Sequence, residues 1–463
     1  MDIFKRNVNN IFLIFVLSHL IIWTLVPTLT NQNLPLDTIE ALAWGSNLDW
    51  GFNKHPPASA FFVEVFYQIF GSQDWAYYLL SQLFIIISFY YVFKLSNEIL
   101  NDKKLSLISV FLLEAIYFFN FTTPEYNVNI CQLPFWSAVV YYSWRVFNYK
   151  TVEFKDCLIV GLFASLGFLS KYLFIYLLIS ISFLFIYFIF FKKIMKFDFK
   201  YLIIFEVFII LLIPHLIWLH NNDYVSIFYG LKRTGIESSS FIDHIKYPFI
   251  FIIKQFGLLI PFFILIYSLV KKIKFRINFK DKKLIFLIFI NLLPIFLMLI
   301  TSIMTGSRIR TMWMTPFYLF FGLLSVYLFK SQINLRKINS FLYGFVFLFL
   351  LSPALYTFIS VKQTDKRTDY FGKEIAELIE RRWKKNFNNE IMYVVGDEWY
   401  AGNLSYYMKS RPIWFLDLKD RLNELDPNGG IIYVGNPEIL KEICPGDFGK
   451  INKHGYCMIG SKY

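Results

Sequence analysis

The sequence predicts a polytopic α-helical membrane protein with about eleven transmembrane helices and a small soluble α/β domain after the last of them. Of its 463 residues, 56% are hydrophobic and 21% are aromatic. A single soluble globular domain does not have this composition. Apolar runs of about 17 to 25 residues recur along the chain, and each is long enough to cross a bilayer as a helix.

Eleven such runs precede residue 361. The fifth run is short, and the break between the fifth and the sixth at Ser170-Lys171 is the least distinct. The predicted spans are 11–29, 75–93, 105–121, 128–147, 157–170, 172–191, 201–219, 248–270, 284–300, 312–329 and 338–360.

The distribution of basic residues supports a cytoplasmic N-terminus. The inner segments then hold 22 Lys and Arg against 7 Asp and Glu, whereas the other segments before residue 361 hold 8 against 11. Short cytoplasmic loops collect Lys and Arg in this way. The net charge of +13 therefore follows from topology and gives little support to nucleic-acid binding. The inner segments are 1–10, 94–104, 145–156, 192–200, 271–283 and 330–337.

An odd number of spans divides the chain into a membrane domain, 1–360, and an external domain, 361–463, with a first external loop at 30–74. The charged N-terminus and the first span lack a small-residue cleavage site, which predicts a retained signal anchor. In the tail, the amphipathic stretch 370–387 predicts a helix, and the runs IMYVV, IWFL and IIYV predict buried strands.

Two of the four cysteines, Cys444 and Cys457, lie in this tail. In an oxidising compartment they could form a disulfide, and two free thiols are the alternative. The other two, Cys131 and Cys157, lie in or beside spans, and neither spacing suggests zinc.

The first external loop concentrates polar residues between Leu34 and Pro57. Asp37 and Glu40 are three residues apart, so a helix there would place both carboxylates on one face. The same pattern after a proline also predicts a helix cap with its capping-box partner, and both interpretations can hold together.

Lys54 and His55 precede a rigid diproline in the same loop. They place a cation and an imidazole at the start of the next helix, which runs through Glu64. An ordinary helix start at the membrane interface, with Trp44 and Trp50 as belt aromatics, is the alternative.

The next external segments add amides and cations. Glu125, Asn127 and Asn129 alternate in TTPEYNVN, which suits sugar hydroxyls, although a polar turn would have the same composition. Lys171 interrupts the hairpin between the fifth and sixth spans at the external face, where it either binds an anion or snorkels to the interface.

External cations are more frequent than this topology predicts. Lys232 and Arg233 lie in the long loop after the seventh span, and Arg308, Arg310 and Trp313 lie before the tenth. An anionic ligand explains them, and the forked guanidinium group suits a phosphate.

Glu114 and Glu206 lie within predicted spans, which is costly unless they face the interior of the bundle. They are interpreted as structural residues and are left out of the predicted catalytic set.

Carboxylates and phosphate-binding cations at the mouth of a helical bundle suit a lipid-anchored phosphate donor. The chain has no Gly-rich phosphate loop, which disfavours nucleotide-dependent chemistry. A polyprenyl chain could lie along the spans while its phosphosugar reaches the external loops. A carboxylate would then deprotonate or orient an acceptor hydroxyl, and the cations would stabilise the departing phosphate.

These motifs, in this order, resemble the GT-C membrane glycosyltransferases of glycosyltransferase family 39. This is the dolichyl-phosphate-mannose protein mannosyltransferase-like group, to which the bacterial aminoarabinose transferase that modifies lipid A is related. The matching pieces are LDTIEALAWG, LDWGFNKHPP, TPEYNVN with LPFW, LGFLSKY, PHLIW, GSRIRTMWMTP and VVGDEWYAGNLSYYMKSRP.

The resemblance implies an inverting transfer of a sugar from a polyprenyl-phosphate donor at the non-cytoplasmic face. Asp37 corresponds to the acid of the first external loop and is expected to act as the base or to orient the acceptor. Glu40 falls on the partner acid, and Glu125 on the acid of the second loop. Many family members have adjacent acids in the first loop, whereas Thr38 and Ile39 separate them here, so their division of labour stays open.

The same motifs supply the expected substrate-binding residues. Some enzymes of this fold use a divalent cation, so one could bind at the acids, although the sequence shows no closed ligand set. The substrate-binding residues are Lys54, His55, Asn127, Asn129, Lys171, Tyr172, Arg308, Arg310 and Trp313.

The expected partners are the polyprenyl-phosphate sugar, membrane lipids and an envelope acceptor, which is lipid A, a surface glycan or a protein. If the acceptor is a phosphate, no base is needed and Asp37 would serve orientation. The expected location is a bacterial inner membrane. A flippase for a lipid-linked sugar and an inactive glycan-binding scaffold are the alternatives, although no internal repeat or pair of broken helices supports a transporter.

Overall fold

A computed structural model of the protein describes residues 7–148, 151–236, 239–270, 274, 277–334, 338–418, 425–451 and 453–462. A helical bundle is followed in the chain by a small five-stranded sheet. The predicted class, a polytopic helical membrane protein with a C-terminal α/β unit, is confirmed.

The helices are numbered along the chain. Short 3-10 turns connect several of them. The bounds are α1 Val8–Thr30, α2 Leu36–Ser46, α3 Ala58–Phe70, α4 Asp74–Leu100, α5 Lys103–Phe111, α6 Val128–Cys131, α7 Leu133–Asn148, α8 Phe154–Ser170, α9 Ile175–Ile186, α10 Leu202–Asn221, α11 Val225–Thr234, α12 Asp243–Leu269, α13 Lys282–Thr305, α14 Phe321–Phe329, α15 Ile338–Lys362, α16 Gly372–Asn386, α17 Tyr400–Tyr407 and α18 Pro437–Ile443.

All eleven predicted spans fall on helical segments, but fewer are continuous membrane-length helices. Among the described residues, seven helices are long and apolar enough to cross a membrane, and an eighth span results if the pair Thr311–Tyr318 and Phe321–Phe329, bent by 52°, crosses as one. The seven are Val8–Thr30, Asp74–Leu100, Tyr172–Phe191, Phe199–Asn221, Asp243–Leu269, Lys282–Thr305 and Ile338–Lys362.

The remaining three predicted spans differ because polar residues interrupt them or because they are short. The segment 105–121 breaks after α5 into two 3-10 turns. At this break, Oε1 of Glu114 lies 3.3 Å from Nε2 of His19 on α1. Asn120 donates a hydrogen bond to the Glu114 carbonyl. The segment 128–147 is divided into α6 and α7, and α8 has 17 residues.

Glu114 and Glu206, which were predicted to be structural, lie in different environments. Glu114 is buried against His19 inside the bundle. Glu206 is exposed in the first turns of α10. Its position near the helix end lets the carboxylate reach the interface.

The outer helices α10, α12 and α15 leave large apolar side chains exposed, among them Phe205, Phe256 and Phe347. Exposed apolar surface of this extent is typical of contact with lipid tails. The interior is packed with aromatic residues, including the fully buried Trp136 and Trp144.

The sheet lies in the C-terminal region and has the strand order β2-β1-β3-β5-β4. Strands β1 (Ile391–Val395), β2 (Ile413–Phe415) and β3 (Gly430–Gly435) are the three predicted ones, and they are mutually parallel where they pair. The sequence analysis missed the antiparallel hairpin of β4 (Asp447–Ile451) and β5 (His454–Ile459). Its strands mix polar and apolar residues without a clear period.

The C-terminal region packs on helices that the first external loop forms. Helix α17 lies against α2. Arg411 donates hydrogen bonds to the Leu42 carbonyl and to Glu64 of α3, and the backbone N–H of Trp414 donates to Ser46. The loop 30–74 is therefore an ordered helical platform between the bundle and the sheet.

Candidate functional site

The acids of the two external loops meet at the N-terminus of α2. Pro35 is the N-cap residue and makes no side-chain capping bond, so the predicted capping box of Asp37 and Glu40 is wrong. The backbone N–H of Asp37 instead donates a 3.2 Å hydrogen bond to Oε1 of Glu125, 88 residues away. The hydroxyl of Thr38 donates to the Tyr126 carbonyl, which fixes the two loops together.

Asp37 and Glu125 differ in the charges that surround them. Burial raises the pKa of Asp37, and Arg233, Lys171, Lys54 and Arg367 oppose this rise. Burial and then the charge of Asp37 raise the pKa of its neighbour, Glu125, to about 8. Four cations therefore favour the ionised form of Asp37, whereas only Arg367 does so for Glu125.

Glu40 belongs to a separate ion-pair group. Lys54 Nζ lies 2.8 Å from Glu40 Oε1 and 3.1 Å from Glu398 Oε1, and Asn53 donates to Glu398 as well. Burial alone would lower the pKa of Lys54, but the two carboxylates outweigh it and raise that pKa. Lys54 is therefore a cation held by Glu40 and Glu398.

His55 is neutral in this site. Burial, followed by the charges of Lys171 and Arg233, lowers the pKa of His55 to about 3. Its ring packs against Trp44, at 5.9 Å between centroids, and Tyr229, at 6.4 Å. It can exchange hydrogen bonds with a substrate but does not add positive charge.

A small hollow lies between these groups. Its wall is formed by side chains from both external loops and from the start of α3. The lining includes Asp37, Glu40, Trp44, His55, Ser59 and Asn127.

The side chains of Asn127 and Asn129, predicted to bind substrate, form hydrogen bonds within the protein. Asn127 is the N-cap of α6 and accepts from the N–H groups of Asn129 and Ile130 at 2.9 and 3.2 Å. Asn129 accepts a short hydrogen bond from Nζ of Lys171. Together they fix the position of the lysine.

Lys171 is buried at the external end of α8, where Nζ lies 5.5 Å from the centroid of the Trp313 ring. Burial lowers its pKa to about 7, against the pull of Asp37. The ammonium group is thus poorly solvated, and an anion placed beside it would restore its full charge.

Tyr172 connects three helical segments around the site. Its hydroxyl lies 3.0 Å from His215 Nε2 on α10 and 2.7 Å from the Ser226 hydroxyl on α11. Nδ1 of His215 lies 2.6 Å from the Trp50 carbonyl. Tyr172 therefore positions neighbouring elements.

The arginines lie on the rim of the site. Arg233 of α11 is the first among the cations that lower the pKa of Asp37. Burial, and then the charge of Arg233, lowers the pKa of Arg310. Arg308 is exposed, and its backbone N–H donates to the Thr234 carbonyl. All three arginines are exposed, and the charges of both Arg233 and Arg308 lower the pKa of Arg310.

Arg233, Glu398 and Arg367 were missed as site residues. The excess of external cations in the sequence includes Arg233 and could have identified it. Glu398 lies in the tail motif VVGDEWYAG and Arg367 in the connection after α15. Only the packing of the C-terminal region on the platform brings these two near the acids.

The predicted divalent cation finds no matching ligand set in the described residues. No three His, Cys, Asp or Glu side chains converge there in a way that could hold a metal ion. Glu40 is paired with Lys54, and the cations Lys54, Lys171 and Arg233 act on Asp37 as well as the acid Glu125. No step is derived through a metal.

Comparison with known proteins agrees with the motifs. Residues 54–218 match the family model of the dolichyl-phosphate-mannose-protein mannosyltransferases. This range contains Lys54, His55, Glu125 and Lys171 but not Asp37. No curated protein matches the sequence.

The fold is shared with a solved protein, ArnT. ArnT from Cupriavidus metallidurans, solved in the apo state and bound to undecaprenyl phosphate, is 12% identical, with 96% of this chain and 97% of that chain covered and a TM-score of 0.62. The archaeal oligosaccharyltransferase AglB from Archaeoglobus fulgidus, in complex with an inhibitory peptide and a dolichol-phosphate, is 12% identical over 92% of this chain and 70% of that chain, with a TM-score of 0.44. The resemblance to GT-C glycosyltransferases of the mannosyltransferase family is confirmed.

Proposed function

We propose that this protein transfers a sugar, with inversion, from a polyprenyl-phosphate donor to an envelope acceptor at the non-cytoplasmic face of a bacterial inner membrane. The observation that carries the proposal is the meeting of the Asp37–Glu125 pair with Lys171 and Arg233 in one site at the mouth of the bundle. The family match over 54–218 and the fold shared with ArnT, which was solved with undecaprenyl phosphate, support it.

Asp37 takes the role of the general base, because its carboxylate is not engaged by a hydrogen bond or ion pair in the described part of the chain, whereas Glu40 is held by Lys54. An acceptor hydroxyl gives its proton to Asp37 as its oxygen forms the bond to the anomeric carbon. The bond from that carbon to the phosphate oxygen breaks on the opposite side, and polyprenyl phosphate leaves with both bond electrons.

The cations stabilise the charge that develops on the leaving phosphate. Lys171 is buried beside the acids, and Arg233 and Arg310 approach from the rim. Charge stabilisation by preorganised cations in a site shielded from water is usually a large contribution to catalysis.

An apolar cavity of about 420 Å³ offers space for a lipid chain. It lies between α7, α8, α9 and α10. Its lining includes Ile175, one turn after Lys171 in the chain, together with Phe185 and Tyr201. A phosphate held at Lys171 would therefore have apolar space for its polyprenyl tail beneath it.

The experiment compares Asp37→Asn with the wild type in membranes supplied with a polyprenyl-phosphate sugar and an envelope extract as acceptor. We expect sugar transfer to fall by about 100-fold or more, with polyprenyl-phosphate binding retained, because a lost general base typically costs that much. Asp223→Asn is the matched control, since Asp223 is exposed and has a positive φ that asparagine tolerates.

Undiminished transfer by Asp37→Asn would exclude Asp37 as the base. Movement of the lipid-linked sugar across the bilayer, without any transfer product from the wild type, would instead favour the flippase alternative. Mass spectrometry of lipid A, surface glycan and envelope proteins from cells with and without the gene would identify the sugar and the acceptor together.

A further inference from the structure

A second, polar cavity lies at the external ends of α1 and α15, where the C-terminal region meets the bundle. Its volume is about 750 Å³, within the range of ligand-binding cavities. Gln32, Ser360, Arg367, Tyr370 and Trp399 are among the residues that line it.

The lining combines aromatic rings, amides and hydroxyls with two cations, Lys366 and Arg367, and two acids, Asp365 and Asp369. The rings of Tyr370 and Trp399 lie 5.5 Å apart, and the Arg367 guanidinium lies 5.9 Å from the Trp399 ring. Aromatic faces pack on sugar rings, while amides and hydroxyls such as those of Gln32 and Ser360 bind their hydroxyl groups.

Arg367 is the cation available to a ligand here. The neighbouring Lys366 is occupied, because its Nζ donates to the Ser360 carbonyl at 2.9 Å and pairs with Asp369 at 2.9 Å. Arg367 is exposed and forms no ion pair with a described carboxylate. A guanidinium group binds phosphate or carboxylate through two parallel hydrogen bonds.

The cavity is connected to the acid pair. The Ser360 hydroxyl donates to Oδ1 of Asn31, and Nδ2 of Asn31 donates to the hydroxyls of Tyr78 and Tyr356 at 3.0 and 2.9 Å. Both tyrosines lie within electrostatic range of Glu125.

Arg367 also lies within electrostatic reach of the acids. Its charge opposes the rise in the pKa of Asp37 and of Glu125. The cavity therefore approaches the acid pair from the side of α1 and α15, while Lys171 approaches from α8 and Arg233 from α11.

We propose that this cavity is the acceptor site, and that the acceptor is a glycan carrying a phosphate or carboxylate. The inference rests on the proposed transferase function. In it, the donor and the acceptor enter the site from different sides. Leu29, Phe358 and Val361, next to the cavity in sequence, are strongly exposed apolar residues at the external ends of α1 and α15. A glycan on a lipid anchor could therefore enter laterally from the outer leaflet, and a free glycan could enter from solvent.

The test measures equilibrium binding to the full-length protein in nanodiscs by titration calorimetry. One probe is the phosphorylated disaccharide obtained by deacylating lipid A, and the other is the same disaccharide after phosphatase treatment. For Arg367→Gln we expect about 10- to 100-fold weaker binding of the phosphorylated probe, because a charge-assisted bond is lost, with little change for the neutral probe. Trp399→Leu weakens both probes, by up to about 10-fold.

Arg381→Gln is the matched control, because Arg381 is exposed on α16 and bonds only to the Glu377 carbonyl of its own helix. Arg367→Lys keeps the charge and should recover part of the affinity. Equal affinity of Arg367→Gln and Arg381→Gln for the phosphorylated probe would overturn the inference, as would tighter binding of a Ser/Thr peptide than of the glycan.

Native mass spectrometry with intact lipid A in the nanodisc distinguishes the two sources of the glycan. Binding of the free disaccharide supports a soluble acceptor, and binding of the anchored form alone supports a glycolipid. Release of polyprenyl phosphate from the donor is followed in the same samples. If the wild type binds the phosphorylated probe but never consumes donor, the transferase proposal fails while the glycan site stands.

Discussion

Lys171 is the residue whose protonation should control donor binding. Burial lowers its pKa to about 7, so its ammonium form is present below that pH and is lost as the pH rises above it. We expect the affinity for undecaprenyl phosphate to fall by about 10-fold or more between pH 6 and pH 9, because a charge-assisted bond to the phosphate is lost. Binding to the protein in nanodiscs measures this.

Lys171→Arg is the control for this prediction, since arginine stays protonated over the whole range. The variant also corrects for titration of the phosphate itself. Its affinity should rise or stay level with pH, and parallel pH profiles of the wild type and Lys171→Arg would contradict the assignment of Lys171 as the phosphate ligand.

Glu125 should make stability depend on pH in the opposite sense from an ordinary carboxylate. Its pKa is raised to about 8 in the folded protein, against an ordinary value of 4.5. Between these values the folded state binds a proton that the unfolded state does not, so stability is highest at low pH and falls as the pH rises. Thermal unfolding in detergent should show Tm falling between pH 5 and pH 8 by at least about 2 °C more than in Glu125→Gln.

The glutamine variant keeps an oxygen that can accept from the Asp37 N–H, so this hydrogen bond at the start of α2 is retained. The comparison therefore isolates the charge. A Tm profile of Glu125→Gln as steep as that of the wild type would show that Glu125 is not the group that binds the proton.

Whole elements could be predicted from the sequence where one period dominates. Helices α1, α4, α13 and α15 and the strands β1 to β3 lie close to their predicted positions, because long apolar runs and short apolar strands carry a strong local signal. The break of the helix at Glu114 was not predicted, because it depends on His19 of another helix.

The same reasoning explains which site residues could be found. Lys171 interrupts apolar sequence, and Asp37 and Glu125 lie in short polar segments between predicted spans, so their positions single them out. Glu398 lies in the tail motif VVGDEWYAG and Arg367 in polar sequence, and neither position points to the acids of the external loops. Their relevance arises only after the C-terminal region packs on α2 and α3.

The salt bridge between Arg411 and Glu64 should be the interaction that contributes most to holding the C-terminal region on α3. Arg411 Nη2 lies 2.8 Å from Glu64 Oε2, both side chains are nearly buried, and the guanidinium lies 4.0 Å from the centroid of the Tyr67 ring. Arg411→Gln leaves the nearly buried Glu64 carboxylate without a counter-charge, with only the hydrogen bond from Gln68, which should cost about 3 kcal/mol. Thermal unfolding and the rate of proteolysis at the junction measure the loss.

Lys462→Gln provides the control, because Lys462 forms an exposed ion pair with Asp447 at 3.3 Å. Exposed pairs contribute about 1 kcal/mol or less. If both variants unfold alike, the buried pair does not hold the C-terminal region to the platform.

At the scale of the whole molecule, the sheet region completes the site rather than standing apart from it. Glu398 pairs with Lys54, and Trp399 lines the cavity at the ends of α1 and α15. The platform of α2 and α3 lies between them and contacts both the bundle and α17. A site built in this way requires the C-terminal region and the first external loop to be on the same side of the membrane.

This requirement leads to a prediction about topology. The loop 30–74 and the residues after α15 should face the outside of the cytoplasmic membrane, with the basic loops inside. Cys444 and Cys457 form a disulfide, with Cα atoms 5.7 Å apart, which is typical of an oxidising compartment. We expect a protease added to spheroplasts to cut the C-terminal region, and the same protease added to inverted vesicles to leave it intact.

Thiol labelling gives an independent measurement of the same topology. In protein denatured with a thiol-blocking reagent present, reduction should release two further reactive thiols from the wild type and none from a Cys444→Ser/Cys457→Ser variant, which isolates the tail pair from the buried free thiols of Cys131 and Cys157. Cleavage of the C-terminal region from the cytoplasmic side, together with fully reduced tail cysteines, would place the acid pair in the cytoplasm. A donor whose phosphosugar faces outward could not reach an acid pair in the cytoplasm. That result would therefore contradict transfer at the non-cytoplasmic face.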